Sequence, residues 1–252
     1  MELIVIGAGP AYTDRRGAAA ASFLVRHGDA ALLLDLGQGA FPNLASTTDP
    51  SGLAAVVITH LHPDHFVDLV PLRHYLRFQF DPPRRVRVVG PTGLGDRLDA
   101  LHAHPGFAAA SLDMAVVAAL QRFGPFAVEA RRVHHTEESY ALRVSVAGAS
   151  GAAAGPGLVY SGDCGHAEDL VPLIHPGDTL LCEASFGAGP VPAGAEHLDA
   201  GAAGRAATDG RAERLLITHI QMGYSRADAL TAAQSAFAGP IQLVAEGDRF
   251  EV

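Results

Sequence analysis

Short apolar runs recur along the chain at residues 3–6, 23–26, 31–34, 56–58, 86–89, 127–133, 140–146, 158–160, 179–182, 215–217 and 241–244. Most are too short for helices, and many are rich in β-branched residues, so they read as strands. Helix-like amphipathic stretches fall between some of them, at 66–78, 93–102, 167–174, 200–208 and 226–237. Pro71 lies inside the first and should kink or delimit it. Early strands follow one another directly, whereas later ones alternate with helices. That order predicts mixed sheets with helices outside, an α+β or layered α/β domain. No repeat or composition break divides residues 1–252, so the chain reads as one domain.

Glycine marks the loops. Residues 148–157, Gly and Ala with one Ser and one Pro, read as a flexible hairpin loop between close strands, and 187–194 as another loop. Gly7-Ala8-Gly9 invites a dinucleotide-binding reading. The third glycine of that fingerprint falls on Tyr12 and no crossover helix follows, so a tight turn is the better account.

Composition narrows the function. With 252 residues, 48% of them hydrophobic, the chain has ample material for a core, and a charged fraction of 18% argues against disorder. A net charge of −9 makes a poor general nucleic-acid binder, although metal ions can make one cleft locally positive. Two cysteines, Cys164 and Cys182, form no disulfide framework. The first residues lack a basic leader, and no apolar stretch is long enough for a membrane span. The expectation is a soluble, cytoplasmic protein.

The chemistry concentrates in Thr59-His60-Leu61-His62-Pro63-Asp64-His65, just past the strand at 56–58. Three imidazoles and a carboxylate are ligands of zinc and its neighbours. His60 and His62 can aim at one ion, and Asp64 and His65 can serve a second. Other strand ends present the same types: His134-His135 after 127–133, Asp163 after 158–160 and His219 after 215–217. Singly, each has a dull reading as a cap, turn or surface residue. Together, four strand ends presenting ligand types are harder to dismiss.

These residues resemble the metallo-β-lactamase superfamily. His60, His62, Asp64 and His65 match its His-x-His-x-Asp-His motif, and His135, Asp163 and His219 match the later ligands in order. Leu33-Leu34-Asp35-Leu36-Gly37 resembles the family strand that ends in Asp-x-Gly. The segments His135–Arg143, Ser161–Cys164 and Cys182–Phe186, with Glu196-His197-Leu198-Asp199, are similar to ribonuclease Z-like proteins. With the closing Phe250-Glu251-Val252, the pattern is also similar to atypical class II cyclic-nucleotide phosphodiesterases. The resemblance implies an αββα sandwich, two mixed sheets with helices on the outer faces.

It further implies two divalent ions, zinc first with manganese or iron as alternatives. His60, His62 and His135 would hold one, Asp64, His65 and His219 the other, and Asp163 would bridge them. Hydroxide between the ions would attack a phosphodiester. Asp64 would orient it or take its proton, and His197, supported by Glu183, would protonate the leaving alkoxide or hold the phosphate. Asp35 is expected behind the ligands, Cys164 as a packed thiol, and Arg84, Arg85 and Arg87 as a solvated strand edge.

The favoured substrate is a small phosphodiester such as a cyclic nucleotide. The alternatives are RNA cleavage of the ribonuclease Z kind, hydrolysis of a lactone, thioester or β-lactam, and a non-catalytic metal protein. Only 28 positions separate His135 from Asp163, too few for the tRNA-gripping arm of ribonuclease Z, which disfavours RNA as a partner. The same resemblance suggests a homodimer.

Overall fold

In each sheet the parallel strands end together on one rim. A computed structural model describes residues 1–148 and 153–252. The first sheet contains β1 (Glu2–Gly7), β2 (Ser22–His27), β3 (Ala30–Leu34), β4 (Ala55–Val57), β5 (Val86–Gly90) and β6 (Leu112–Val116). The second contains β7 (Leu120–Phe123), β8 (Phe126–Arg132), β9 (Tyr140–Ala147), β10 (Ala153–Tyr160), β11 (Thr179–Glu183), β12 (Arg214–Thr218) and β13 (Ile241–Leu243). The last strand, β14 (Arg249–Glu251), returns to pair with β1. Within each sheet an antiparallel set joins a parallel set: β3 to β6 run parallel in one, β10 to β13 in the other.

The strands read as continuous apolar runs because both faces are covered. In β1, Leu3 and Val5 face the second sheet and pack in the cluster holding Phe126, Leu142 and Leu216. Ile4 and Ile6 point the other way. They meet Leu44 of α1 (Ala40–Thr47), Leu72 and Leu76 of α3 (Leu69–Phe78) and Leu98 of α4 (Leu94–Leu101). On the far side, Val159, Leu180, Leu215 and Ile217 pack on α5 (Ala200–Gly210) and α6 (Arg226–Gln234). Those two helices bury Ala203, Ala206, Ala207, Ala229 and Ala233, small residues that allow close approach. The layers are therefore helix, sheet, sheet, helix, as expected.

Local departures have local causes. The helix expected over 66–78 is two helices, α2 (Pro63–Phe66) and α3, separated where the Asp68 carboxylate accepts the Phe41 N–H. Pro71 sits in the first turn of α3, where its missing donor costs nothing. The helix expected over 167–174 is two 3₁₀ turns, Ala167–Asp169 and Val171–Leu173, with Pro172 in the second. Of the loop expected over 148–157, residues 149–152 lie outside the described residues, and 153–157 belong to β10. The helix α1 and the strands β6, β7 and β14 were not predicted. α1 has only Ala40 and Leu44 buried, and β6, β7 and β14 are partly exposed edge strands with weak apolar patterns.

Two glycines are there for proximity. Gly7 lies against the Ala20 carbonyl, where a Cβ would sit 1.9 Å from the oxygen, so close approach and not a tight turn explains it. Gly37 stands in the same relation to the Asp64 carbonyl, also at 1.9 Å. Because Asp64 lies in the histidine-rich segment, the Gly37 backbone sets how closely that segment approaches β3. Gly37→Ala is expected to lower stability by about 2–3 kcal/mol, measured by denaturant unfolding, since neither backbone can yield without disturbing the other.

Candidate metal centre

The histidine-rich segment folds as it does because β4 stops at Val57 and the chain turns directly into α2. His60 lies in the turn, His62 is the N-cap of α2, and Asp64 and His65 are on the helix itself. The other predicted residues arrive from the same rim. His135 lies between β8 and β9, Asp163 just past β10, Glu183 at the end of β11, and His219 just past β12. This is the edge where parallel strands end, the usual place for a site in such sheets. Asp35 and His219 hold left-handed backbone angles, φ 56° and 59°, rare for residues with a side chain.

All seven residues expected as ligands converge, and they sort into two groups. His60, His62, His135 and Asp163 form one, and Asp64, His65, His219 and Asp163 the other, each with potential ligand atoms within 4.8 Å of one another. Asp163 belongs to both. Its Oδ2 is 3.6 Å from His60 Nε2 and 3.7 Å from His135 Nε2. Its Oδ1 is 3.3 Å from His65 Nε2 and 3.5 Å from His219 Nε2. Asp64 Oδ2 completes the second group at 3.7 Å from both His65 Nε2 and His219 Nε2.

The hydrogen bonds behind the histidines aim their lone pairs inward. Asp35 is fully buried and its Oδ2 can only accept, so His65 donates to it from Nδ1 at 2.7 Å. His135 likewise donates from Nδ1 to the Glu196 carbonyl at 2.7 Å. Thr59 Oγ1 donates to Asp35 at 2.8 Å and so can accept from His60 Nδ1 at 3.1 Å. For His60 and His65 Nε2 is left free, the arrangement metal-binding histidines adopt, while His135 Nε2 stands 3.1 Å from His62 Nδ1 within the same group. His60 Nε2, His65 Nε2 and Asp163 Oδ1 are buried with no hydrogen-bond partner. Such groups cost about 1–3 kcal/mol each when unsatisfied. Divalent cations fit this donor set, because they would use those atoms.

The same crowding shifts protonation. Burial pushes His60 well below its ordinary range, helped by the charge of His65. Burial opposes charge on His65 too, but Asp163 and Asp35 outweigh it and hold its pKa well above normal. Asp163 pays the same burial penalty, yet His219 and His65 keep its carboxyl well below the usual range. Cation binding would displace those protons from the ligating nitrogens.

Beside the two groups lies a third cluster. Glu183 is buried, and its Oε1 is 2.9 Å from His197 Nδ1, as the sequence suggested. Ser185 Oγ donates to Glu183 Oε2 at 2.7 Å and stands 3.2 Å from His197 Nδ1. The same His197 Nδ1 lies 3.9 Å from Asp163 Oδ2, which places the ring beside the two groups. Burial disfavours its proton, but Glu183 prevails and raises its pKa to about 9. His134 turns away to solvent and pairs with Asp169 at 2.7 Å. Cys164 is a buried thiol donating to the His166 carbonyl, and its pKa is pushed far up by burial. Arg84 and Arg85 pair with Asp49 and Asp113 on the surface. Two contributors were not foreseen: Ser185, and Tyr160, whose hydroxyl donates to Asp35 Oδ2 at 2.8 Å. Tyr160 lies 125 positions from Asp35, so no local pattern could reveal it.

Removing the Asp35 carboxylate should loosen the centre without touching a ligand. Asp35→Asn is expected to weaken divalent-ion binding about 10–100-fold in a chelator competition, and Asp163→Ala to lower the bound equivalents from about two. Equal metal affinity in Asp35→Asn and wild type would show that the carboxylate does not orient His65.

Residues 32–220 match the family described as the beta-lactamase superfamily domain. An uncharacterized protein of Mycobacterium leprae is 32% identical over 92% of this chain and 82% of its own length. The probable metallo-hydrolase YhfI of Bacillus subtilis is 25% identical over 91% of both chains. A crystal structure of YhfI, described as a metallo-beta-lactamase fold protein, superposes with a TM-score of 0.85, 22% identity and coverage of 99% of this chain and 98% of that one. Ribonuclease Z of Mycobacterium marinum is 33% identical over 40% of this chain and 37% of its own. The chain belongs to the beta-lactamase superfamily, a family of metallo-hydrolases, in its ribonuclease Z-like branch.

Proposed function

We propose that the protein is a dinuclear phosphodiesterase acting on a small phosphodiester such as a cyclic nucleotide. The observation that carries this reading is the Glu183–Ser185–His197 cluster, outside both groups of expected ligands and against Asp163. Cleaving a phosphodiester expels an alkoxide, which needs a proton. A histidine held charged by a buried carboxylate is suited to supply it.

His60, His62 and His135 would hold one cation, Asp64, His65 and His219 the other, with Asp163 between them. Zinc is the first choice for this mixed imidazole and carboxylate set, with manganese and iron as alternatives. Such cations supply Lewis acidity, making water acidic near neutral pH and offsetting charge that builds on a phosphoryl group. Asp64 would accept the proton of the attacking water or orient it. Glu183 spends both oxygens on neighbours: Oε1 on the Cys164 N–H and His197, Oε2 on the Ser185 N–H and hydroxyl. It therefore fixes the His197 ring, with Nδ1 bonded and Nε2 left for the leaving oxygen.

A second reading, RNA cleavage, is supported by the likeness to ribonuclease Z. The interval between His135 and Asp163 is 28 positions, and its described residues are mostly β9 and β10, which leaves no length for a substrate-gripping arm. The acidic net charge of −9 also favours the smaller substrate.

The test is a panel of bis-p-nitrophenyl phosphate, cyclic AMP, a tRNA precursor, a lactone and nitrocefin. Turnover of the first two, abolished by chelation, is expected; turnover of the lactone alone overturns the proposal. His197→Ala is expected to lower kcat/KM for cyclic AMP about 10²–10⁴-fold. The loss should be much smaller for bis-p-nitrophenyl phosphate, whose leaving group departs without a proton. Equal losses on both substrates would remove His197 from the role of proton donor.

A further inference from the structure

Beside His62, the one expected ligand that reaches it, lies a cleft of about 700 Å³, a size suited to a small organic ligand. One wall comes from the histidine-rich segment and the start of α4, including Thr92 and Arg97. The other comes from the connection between β8 and β9, including Arg132 and Glu138. The two walls are tied together. Glu138 Oε2 accepts the Thr92 N–H at 2.7 Å, and its Oε1 accepts the Tyr140 hydroxyl at 3.0 Å. Arg132 lies 3.5 Å from the same Oε1 and also donates to the Glu137 carbonyl. Glu138 and Arg132 thus neutralise each other, and both Glu138 oxygens are engaged.

Arg97 is different. It donates one N–H to the Leu61 carbonyl at 3.1 Å, and no carboxylate lies within 4 Å of it among the described residues. Asp99, on the same helix, is committed to the Gly106 and Ala108 N–H groups. Asp96 on α4 and the Glu137 side chain across the cleft are exposed and make no ion pair with it. A guanidinium has five N–H donors, so four remain. Its anchor, Leu61, immediately precedes His62, which fixes the guanidinium on the cleft wall next to the centre. A cation held by backbone, free of any carboxylate and facing a cleft is arranged to receive an oxyanion.

We propose that Arg97 is a subsite for a second phosphate of the substrate, so that the preferred substrates are nucleotides carrying a terminal phosphate in addition to the phosphodiester. This rests on the phosphodiesterase reading only for the position of the first phosphate. The guanidinium recognises the oxyanion in forked geometry, and because the site is exposed its contribution falls with added salt.

Binding to the metal-loaded full chain tests it by calorimetry with two ligands, adenosine 3′-monophosphate and adenosine 3′,5′-bisphosphate. Wild type is expected to bind the bisphosphate at least about tenfold more tightly. Arg97→Gln should bring the ratio of the two Kd values close to one, and Arg97→Lys should keep part of it. Because both ligands are compared within one variant, any loss of metal weakens both and leaves the ratio readable. A wild-type ratio near one, or the same ratio in wild type and Arg97→Gln, overturns the subsite; the second result would mean that the extra phosphate is held by the metals. Bis-p-nitrophenyl phosphate is assayed alongside. Turnover with a ratio of one overturns the subsite alone. A retained, Arg97-dependent ratio without turnover supports the subsite and overturns the phosphodiesterase reading.

Discussion

The carboxylate of Asp35 is the contact on which the rest of the centre depends. It is fully buried at the end of β3 and accepts four hydrogen bonds, from Thr59 N and Oγ1, His65 Nδ1 and the Tyr160 hydroxyl. Those partners come from three places: the turn after β4, helix α2 and strand β10 of the opposite sheet. A single acceptor therefore ties the rims of both sheets together where the expected ligands gather. A buried carboxylate so placed is costly unless every lone pair is used, so its partners have little freedom. That rigidity is what positions His65 and, through Thr59, His60.

A second constraint acts on top of this frame. Four histidines and two carboxylates of the expected ligand set are largely withdrawn from water within a few ångströms of one another. Imidazoles repel one another when charged, and carboxylates do the same. The conflict shows in opposite shifts at neighbouring groups, His60 pushed down and His65 pushed up. Asp163, facing one group with each oxygen, is the natural midpoint. The orphaned nitrogens and oxygen there find their complement in divalent cations, which accords with a metallo-hydrolase family.

Chemistry at this rim divides by function. The expected ligands sit at the ends of strands from both sheets, most of them from the parallel sets and His135 from the antiparallel β8–β9 connection. The surrounding cleft is built from connections, the ends of α4 and the β8–β9 turn, where side chains change without disturbing the core. Glu183 and His197 stand between these two kinds of structure. Glu183 ends a buried strand, while His197 rides a loop ahead of α5 and is steered by that strand end.

The sequence made mixed sheets with outer helices, most strands and the His60–His65 cluster legible as local signals, and it pointed to His135, Asp163 and His219 as expected ligands through resemblance. A strand covered on both faces must be apolar throughout, and the three histidines and one aspartate between His60 and His65 are crowded into one turn and a short helix. It also paired His197 with Glu183, through resemblance and not through periodicity. Tertiary structure alone decided how these pieces meet. Tyr160 reaches Asp35 across 125 positions, Ser185 joins the Glu183 cluster, and Arg97 stands free in the cleft while Arg132 does not. Edge strands such as β6 and β7 escaped the pattern because they are only partly buried, and the helix expected over 66–78 divided where Asp68 caps a distant backbone N–H. Local patterns record which face a residue buries. Which distant groups share a hydrogen bond, and which charge is left without a partner, is settled only when the two sheets close on each other.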